Sequence, residues 1–265
     1  VKDSLRRVQA VRYVTPLREG GSLPAIIEAD DGRLYVLKFR GAGQGVNVLV
    51  AEVVMGEIVR LLGLPVPELV LVDLDGALAA GERDPEIQGL ITASVGTNLG
   101  MAYLSGALAF EPLLTPGPDA ALASAIVWCD AYLTNVDRTP RNPNMLIWQD
   151  QLWLIDHGAA LYVHYSWPGY QARIQSRFPQ IRDHTLLRLA STLPQTDAAL
   201  CDHLTAAVLA DVLALVPDEW LSGGTDEGFD TPAACREAYH TYLTGRLAAP
   251  RAFVQEAEHA HATSL

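Results

Sequence analysis

Residues 135–158 read NVDRTPRNPNMLIWQDQLWLIDHG. Three Asp, three Asn and two Arg crowd around two short apolar runs, Met145-Leu146-Ile147-Trp148 and Leu152-Trp153-Leu154-Ile155. A surface loop tolerates such polarity, but apolar runs that follow at once set this loop beside a core. With Gln149-Asp150-Gln151 between them, the runs are expected to form a tight hairpin. Polar loop, hairpin and second polar turn then gather Asp137, an Asn at 142 or 144, and Asp156 around one point. Carboxylate and amide oxygens are hard ligands suited to Mg²⁺, which keeps waters and takes one or two protein carboxylates beside substrate phosphates. Asp137 is left to orient or deprotonate a hydroxyl. Arg138 and Arg141 would supply local positive charge, which suits an anionic ligand.

Upstream of this stretch, Asp119 can cap a helix running to about Leu133, and Asp130 on it is expected to brace the loop. Further helices are expected near 184–192, 197–215, 231–246 and 249–260. The first hundred residues look different. VQAVRYVTPL, LPAIIEA and RLYVLKF are short runs rich in β-branched and aromatic residues, with Asp31-Gly32 marking a hairpin between the second and third. A helix is expected from Asn47 to Leu62, ended by Gly63 and Pro65. ELVLVDL and IQGLITAS read as two more strands, after which Gly96-Thr97-Asn98 breaks the pattern. Lys38 falls near the end of a strand and Glu52 on the next helix. A buried Lys needs a partner, and a Lys paired with Glu can hold nucleotide phosphates. Gly20-Gly21-Ser22, just before the second strand, could let backbone N–H groups approach phosphate oxygens.

The chain of 265 residues is long enough for one large domain or two lobes, and 49% apolar residues argue against disorder. A net charge of −12 argues against broad nucleic-acid or anionic-membrane binding. Three widely spaced cysteines, Cys129, Cys201 and Cys235, fit a reducing compartment. With no membrane-length apolar run and no signal-like N-terminus, a soluble, cytoplasmic protein is expected. The seven histidines show no HExxH spacing, and no GxSxG occurs.

The run NVDRTPRNPNMLI…LWLIDHG, with YVLKF and AEVVMGEIVRLLGLPVPE before it, resembles the HipA-like kinases and, more distantly, the phosphatidylinositol kinases. The resemblance covers roughly residues 15–160. It implies an α+β, bilobal protein-kinase-like fold, with a β-rich N-terminal lobe over 1–95, a hinge near Ala93–Leu99 and a mostly helical C-terminal lobe over 96–265. It also implies ATP between the lobes with Mg²⁺. Lys38 then resembles the ATP-binding lysine, Glu52 its helix partner, and Asp137 of Asp137-Arg138 the catalytic aspartate. Asn142, five positions on, is favoured by spacing as the metal ligand of the loop. Asn144, directly before MLIW, is the alternative, and Asp156 of DHG stands as the second metal ligand. GGSLP is similar to the Gly-rich phosphate loop. The chain departs from the pattern at Thr139, where relatives carry His, in lacking a His before Asp137, and at Ala25, where a Lys is expected. The implied acceptor is a protein Ser or Thr; a small-molecule hydroxyl is the alternative acceptor, and a nucleotide-binding pseudokinase or interaction module the competing class.

Overall fold

The computed structural model describes residues 4–17, 23–43, 45–113, 115–221 and 228–264, which divide into two compact units. One comprises the described part of Lys2–Val50 with Pro67–Gly106; the other comprises Ala51–Val66 with Ala107–Leu265. The expected boundary near residue 95 therefore falls inside the first unit, and most of the helix expected in the N-terminal lobe groups with the second.

The first unit is a closed barrel of β1 (Arg6–Pro16), β2 (Ala25–Ala29), β3 (Leu34–Lys38), β4 (Leu69–Leu74) and β5 (Gly96–Ala102), in the order β1-β2-β3-β5-β4. Pairing is antiparallel except between β1 and β4. Closing so few strands demands strong bending, and β1 supplies it with register shifts at Ala10/Arg12 and Tyr13/Thr15. Val8, Ala25, Ile27, Tyr35, Leu37, Val70 and Val72 fill the interior. Gly100 on β5 faces this packing so closely that a Cβ there would lie 2.6 Å from a methyl of Val72. The Asp31-Gly32 turn joins β2 to β3 as expected, with Gly32 at φ 73°.

Two expectations between β4 and β5 are corrected. Residues 87–93, read as part of a strand, belong to α2 (Pro85–Ala93). Asp84 caps its Glu86 N–H, Pro85 occupies the first turn, and Ile87 and Ile91 bury one face. Capping and packing outweigh the strand propensity of Ile and Thr. The supposed break at 96–98, placed in a hinge at 93–99, instead opens β5. Asn98 is the reason. Fully buried, it donates to the carbonyls of Ser94 (2.7 Å) and Gly96 (2.9 Å) and accepts from the Arg40 N–H (2.8 Å). Its side chain thus replaces the pairing that the chain lacks where α2 turns into β5. Asn98→Ala leaves those groups without that partner and is expected to cost about 2–4 kcal/mol, read as a melting temperature lower by roughly 5–15 °C. An unchanged melting temperature would refute the role given to this amide.

The second unit takes α1 (Asn47–Leu61) from Ala51 onward. The helix ends as expected, with Gly63 at φ 81°, its N–H on the Arg60 carbonyl and the Leu64 N–H on that of Val59. α3 (Ala120–Tyr132) is capped by Asp119, whose carboxylate accepts the Leu122 N–H at 2.8 Å. It is apolar nearly all round, and every residue from Ile126 to Tyr132 is buried. A small sheet adds β6 (Leu108–Ala109), not anticipated from sequence, to the expected hairpin of β7 (Met145–Trp148) and β8 (Gln151–Leu154). The hairpin turn is the pair Gln149-Asp150, both with positive φ, as a type I′ turn requires.

The remaining helices are α4 (Leu193–Leu200), α5 (Ala206–Ala214), α6 (Asp218–Leu221), α7 (Pro232–Leu247) and α8 (Ala252–Ser264). The expected helix over 197–215 is broken, because Thr205 caps a new start by accepting the Val208 N–H. The helix expected over 184–192 is absent. Short 3-10 turns at Pro179–Asp183 and Leu187–Leu189 flank an extended His184, whose ring nitrogen accepts the Leu186 N–H. The Gly-rich insertion noted at 221–232 lies partly outside the described residues. No helix among the described residues is long and apolar enough to cross a membrane.

α3 packs on α8 through Trp128, Tyr132 and Phe253, whose rings sit 5.4–5.6 Å apart. Nearby, His164 is buried with Nδ1 3.0 Å from the Tyr239 hydroxyl, and burial lowers its pKa to about 3. The unfolded chain takes a proton on this ring near pH 6.5, but the folded chain does so only near pH 3. Stability from this group is therefore whole above pH 6.5 and is lost as pH falls from there toward 3. The slope approaches about 1.4 kcal/mol per pH unit. Urea unfolding at a series of pH values is expected to show that slope and His164→Leu to remove it; equal slopes would refute it.

Candidate functional site

The polar loop that starts at Asn135 begins where α3 ends. Thr134 adopts φ 54°, a left-handed conformation that turns the chain out of the helix, and the Asn135 N–H closes back on the Asp130 carbonyl at 2.9 Å. Asn135 is buried and bridges two carboxylate-bearing residues. Its Nδ2 donates to Asp130 Oδ1 (2.8 Å) and its Oδ1 accepts the Asp137 N–H (3.2 Å). Asp137 is thereby fixed relative to α3. Beyond it, Thr139 and Asn142 pair as an isolated antiparallel bridge, so Pro140 and Arg141 form the loop tip.

Arg138 holds the loop from inside. Its side chain is shielded from solvent, as is that of Asp130, and its Nε donates to Asp130 Oδ2 at 2.6 Å. Nη1 donates to the Asn144 carbonyl at 2.6 Å, and Nη2 lies 3.2 Å from His157 Nδ1. One guanidinium thus ties together the end of α3, the residue before β7 and the turn after β8. Arg fits because its planar fork presents several donors in fixed directions. His184 adds a fourth segment. Its Nδ1 accepts the Leu186 N–H (3.0 Å), so Nε2 carries the proton and donates to Asp130 Oδ2 (2.8 Å). Burial pushes the Asp130 carboxyl up, yet the Arg138 charge and the His184 and Arg138 hydrogen bonds outweigh it and hold the group well below the usual carboxylate range.

The expectation that Arg138 offers positive charge to a ligand is corrected, since its charge is spent on Asp130 in the interior; Arg141 remains exposed. Asp130 braces the loop, as expected, but through Arg138, Asn135 and His184. The roles of Asn135 and His184 were missed. Asn135 carries a local signal, a polar residue two positions before Asp137. His184 stands 54 positions from Asp130 and carries none.

The hairpin brings the remaining residues together. Register Met145↔Leu154 places Asn144 beside Ile155, whose N–H donates to the Asn144 carbonyl at 3.0 Å, with Asp156 next in the chain. Asn144 and Asp156 both hold positive φ, at 50° and 54°. Such backbone is uncommon for residues other than glycine, and clusters of it mark sites where geometry is over-determined. Asp137 Oδ2 accepts from Asn142 Nδ2 (2.7 Å) and Asn144 Nδ2 (3.3 Å). Asn142 is exposed, Asn144 is buried, and Asp137 and Asp156 are half-buried. Each Asn that donates through Nδ2 keeps Oδ1 as an acceptor for a cation.

This donor set fits Mg²⁺. It offers carboxylate and amide oxygens, too few to enclose the ion, as suits a metal that shares its shell with phosphate and water. Among the described residues no group of three or more His, Cys, Asp or Glu is placed to hold a metal by itself. Of the other expected residues, Lys38 ends β3 opposite Leu99 and is largely buried, and Glu52 is buried on α1. Gly20, Gly21 and Ser22 lie outside the described residues.

A family model described as HipA-like kinase matches residues 10–241. Among solved structures, the chain is similar to the crystal structure of a Helicobacter pylori proinflammatory kinase, CtkA. The TM-score is 0.57 and the identity 15%, with 98% of this chain and 99% of that chain covered. At that identity the likeness concerns the fold. No curated protein matches the chain.

Proposed function

The chain belongs to the HipA-like kinase family, and from that premise we propose that it transfers the γ-phosphoryl group of ATP, with Mg²⁺, to a hydroxyl group. A kinase-type phosphotransferase is what the family and the fold give; the acceptor, a protein Ser or Thr in this reading, rests on the resemblance. One observation carries the assignment of the site. A single buried guanidinium, Arg138, binds the segments that bear Asp137, Asn144 and Asp156.

Bound Mg²⁺ would neutralise charge on the phosphates, held by Asp156 and one of the two asparagines. The protein's own residues divide the other tasks. Asp137 accepts the proton of the acceptor hydroxyl, and the amides on its Oδ2 direct the carboxylate. Arg138 is a positioning residue, because its side chain is closed to solvent. Lys38, with Glu52, is assigned to the nucleotide phosphates on the resemblance, as is Gly20-Gly21-Ser22. Between the asparagines, burial and hairpin position favour Asn144 over Asn142, reversing the preference that spacing alone suggests.

Thermal unfolding with ATP, with and without Mg²⁺, tests the site. A ligand at 100 times its Kd stabilises by about 2.7 kcal/mol, so a Mg²⁺-dependent rise of several degrees is expected. Asp156→Ala and Asn144→Ala should lose it, and Asn142→Ala should keep most of it. Loss in Asn142→Ala alone would return the metal role to Asn142. No shift in the unaltered protein would remove the nucleotide assignment.

A further inference from the structure

Beside the Asp137 loop lies a cavity of about 140 Å³, lined by Thr134, Val136, Tyr162, Arg173, Arg177 and Gln180 among others. Val136 precedes Asp137 directly, so the cavity adjoins the segment that carries the proposed proton acceptor. Its lining contains two arginines and no carboxylate, in a chain of net charge −12. Ser176, Gln180, Tyr162 and Thr134 add neutral hydrogen-bonding groups.

The segment that carries the arginines is clamped in place. Gln175 donates to the carbonyls of Gly245 (2.5 Å) and Ala248 (3.0 Å). Arg246, itself buried, donates to the carbonyls of Ile174 (3.1 Å) and Ser176 (3.2 Å), and also to those of Tyr132 (2.8 Å) and Ala131 (3.0 Å) at the end of α3. The same helix end therefore positions both Asp137 and the arginine segment. Gly245 keeps the approach open, since a Cβ there would fall 2.6 Å from Ile174. Arg173 spends its bonds on the main-chain carbonyls of Ser166 and Pro168 and has no carboxylate partner among the described residues. Arg177 is exposed and reaches Glu256 at 3.4 Å, a contact that offsets part of its charge.

The volume decides the size of the occupant. Pockets for whole small molecules run from about 300 Å³ upward, so this one suits a single side chain or one anionic group. Resting on the phosphotransferase reading above, we propose that the cavity is an acceptor subsite that receives the carboxylate of an Asp or Glu near the target Ser or Thr, held by Arg173 and Arg177. Paired guanidinium groups recognise carboxylate and phosphate alike, so a phosphorylated residue in the same place shares the chemistry.

The test uses the full chain and labelled Ser peptides that differ at flanking positions: Glu, phosphoserine, Gln or Lys. Binding is read by fluorescence anisotropy and transfer by ATP-dependent phosphorylation. The Glu peptide is expected to bind at least 10-fold tighter than its Gln counterpart. Arg173→Ala with Arg177→Ala should raise its KM by about 10–100-fold with a much smaller change in kcat, and the Arg→Glu pair should shift preference to the Lys peptide. Tighter binding of phosphoserine than Glu would name phosphate as the occupant and overturn the carboxylate assignment. Equal binding of Glu and Gln peptides, or variants that bind the Glu peptide like the unaltered protein, would overturn the subsite. Preferred binding without phosphorylation of any peptide would sink the phosphotransferase reading and leave the subsite standing.

Discussion

Arg138→Ala is expected to lower stability by about 3–5 kcal/mol, the range for removing one partner of a buried ion pair, and to abolish phosphoryl transfer. Asp130 would be left charged in the interior with only the neutral donors His184 Nε2–H and Asn135 Nδ2. The Asn144 carbonyl would lose its 2.6 Å donor at the same time. Urea unfolding measures the first effect directly. Arg138→Lys keeps the charge yet carries all its donors on one nitrogen and cannot reach Asp130, the Asn144 carbonyl and His157 together as Nε, Nη1 and Nη2 do, so it should recover part of the stability and little of the transfer. A paired replacement, Arg138→Met with Asp130→Leu, separates fold from function. Replacing both partners by apolar residues removes the cost of an unpaired buried charge, but Asn135 Nδ2, His184 Nε2–H and the Asn144 carbonyl each lose a partner at about 1–3 kcal/mol apiece, so circular dichroism checks the fold of this variant before its expected inactivity is read. Activity in it would show that the guanidinium is not what orders the site.

Asp137→Asn is expected to lower the rate of transfer by about 10²–10⁴-fold, the usual contribution of a positioned general base, while leaving stability within about 0.5 kcal/mol. Asp137 is half-buried and its Oδ2 accepts from two amides. An Asn there can present its own oxygen to the same donors, so the loop should keep its shape. Circular dichroism and the melting temperature check the fold, and single-turnover transfer checks the rate. A variant with normal transfer would move the proton acceptor elsewhere.

The strands β1 to β4, the long helices and the hairpin were legible because each is local: alternation, capping and a two-residue turn act over a few residues. Residues 87–98 were not. Ile87-Gln88-Gly89-Leu90-Ile91 suits a strand as well as a short helix, and only the Asp84 cap and the packing of Ile87 and Ile91 decide between them. Gly96-Thr97-Asn98 looked like a break because Asn is poor in strands, yet the Asn98 side chain supplies the bonds that let a strand begin there. Asp137, Asn142, Asn144 and Asp156 could be picked out as candidates because all fall within one short polar stretch. Their support was only partly visible. His184 and Arg246 act on α3 across long sequence separations, and nothing in the local pattern of either announces it. The preference proposed for Asn144 over Asn142 was also beyond spacing, since it rests on the place of Asn144 at the open end of the hairpin.

The central claim is that Asp137 and Asp156 belong to one phosphoryl-transfer site. Incubation of the purified protein with ATP labelled at the γ-phosphate, with Mg²⁺ or with EDTA, measures this most directly when Asp137→Asn and Asp156→Ala are run alongside. Label should pass to a protein or peptide hydroxyl, or to the chain itself, only with Mg²⁺, and both variants should reduce it at least 100-fold. Transfer that survives in either variant, or that proceeds equally in EDTA, would contradict the site described for this chain.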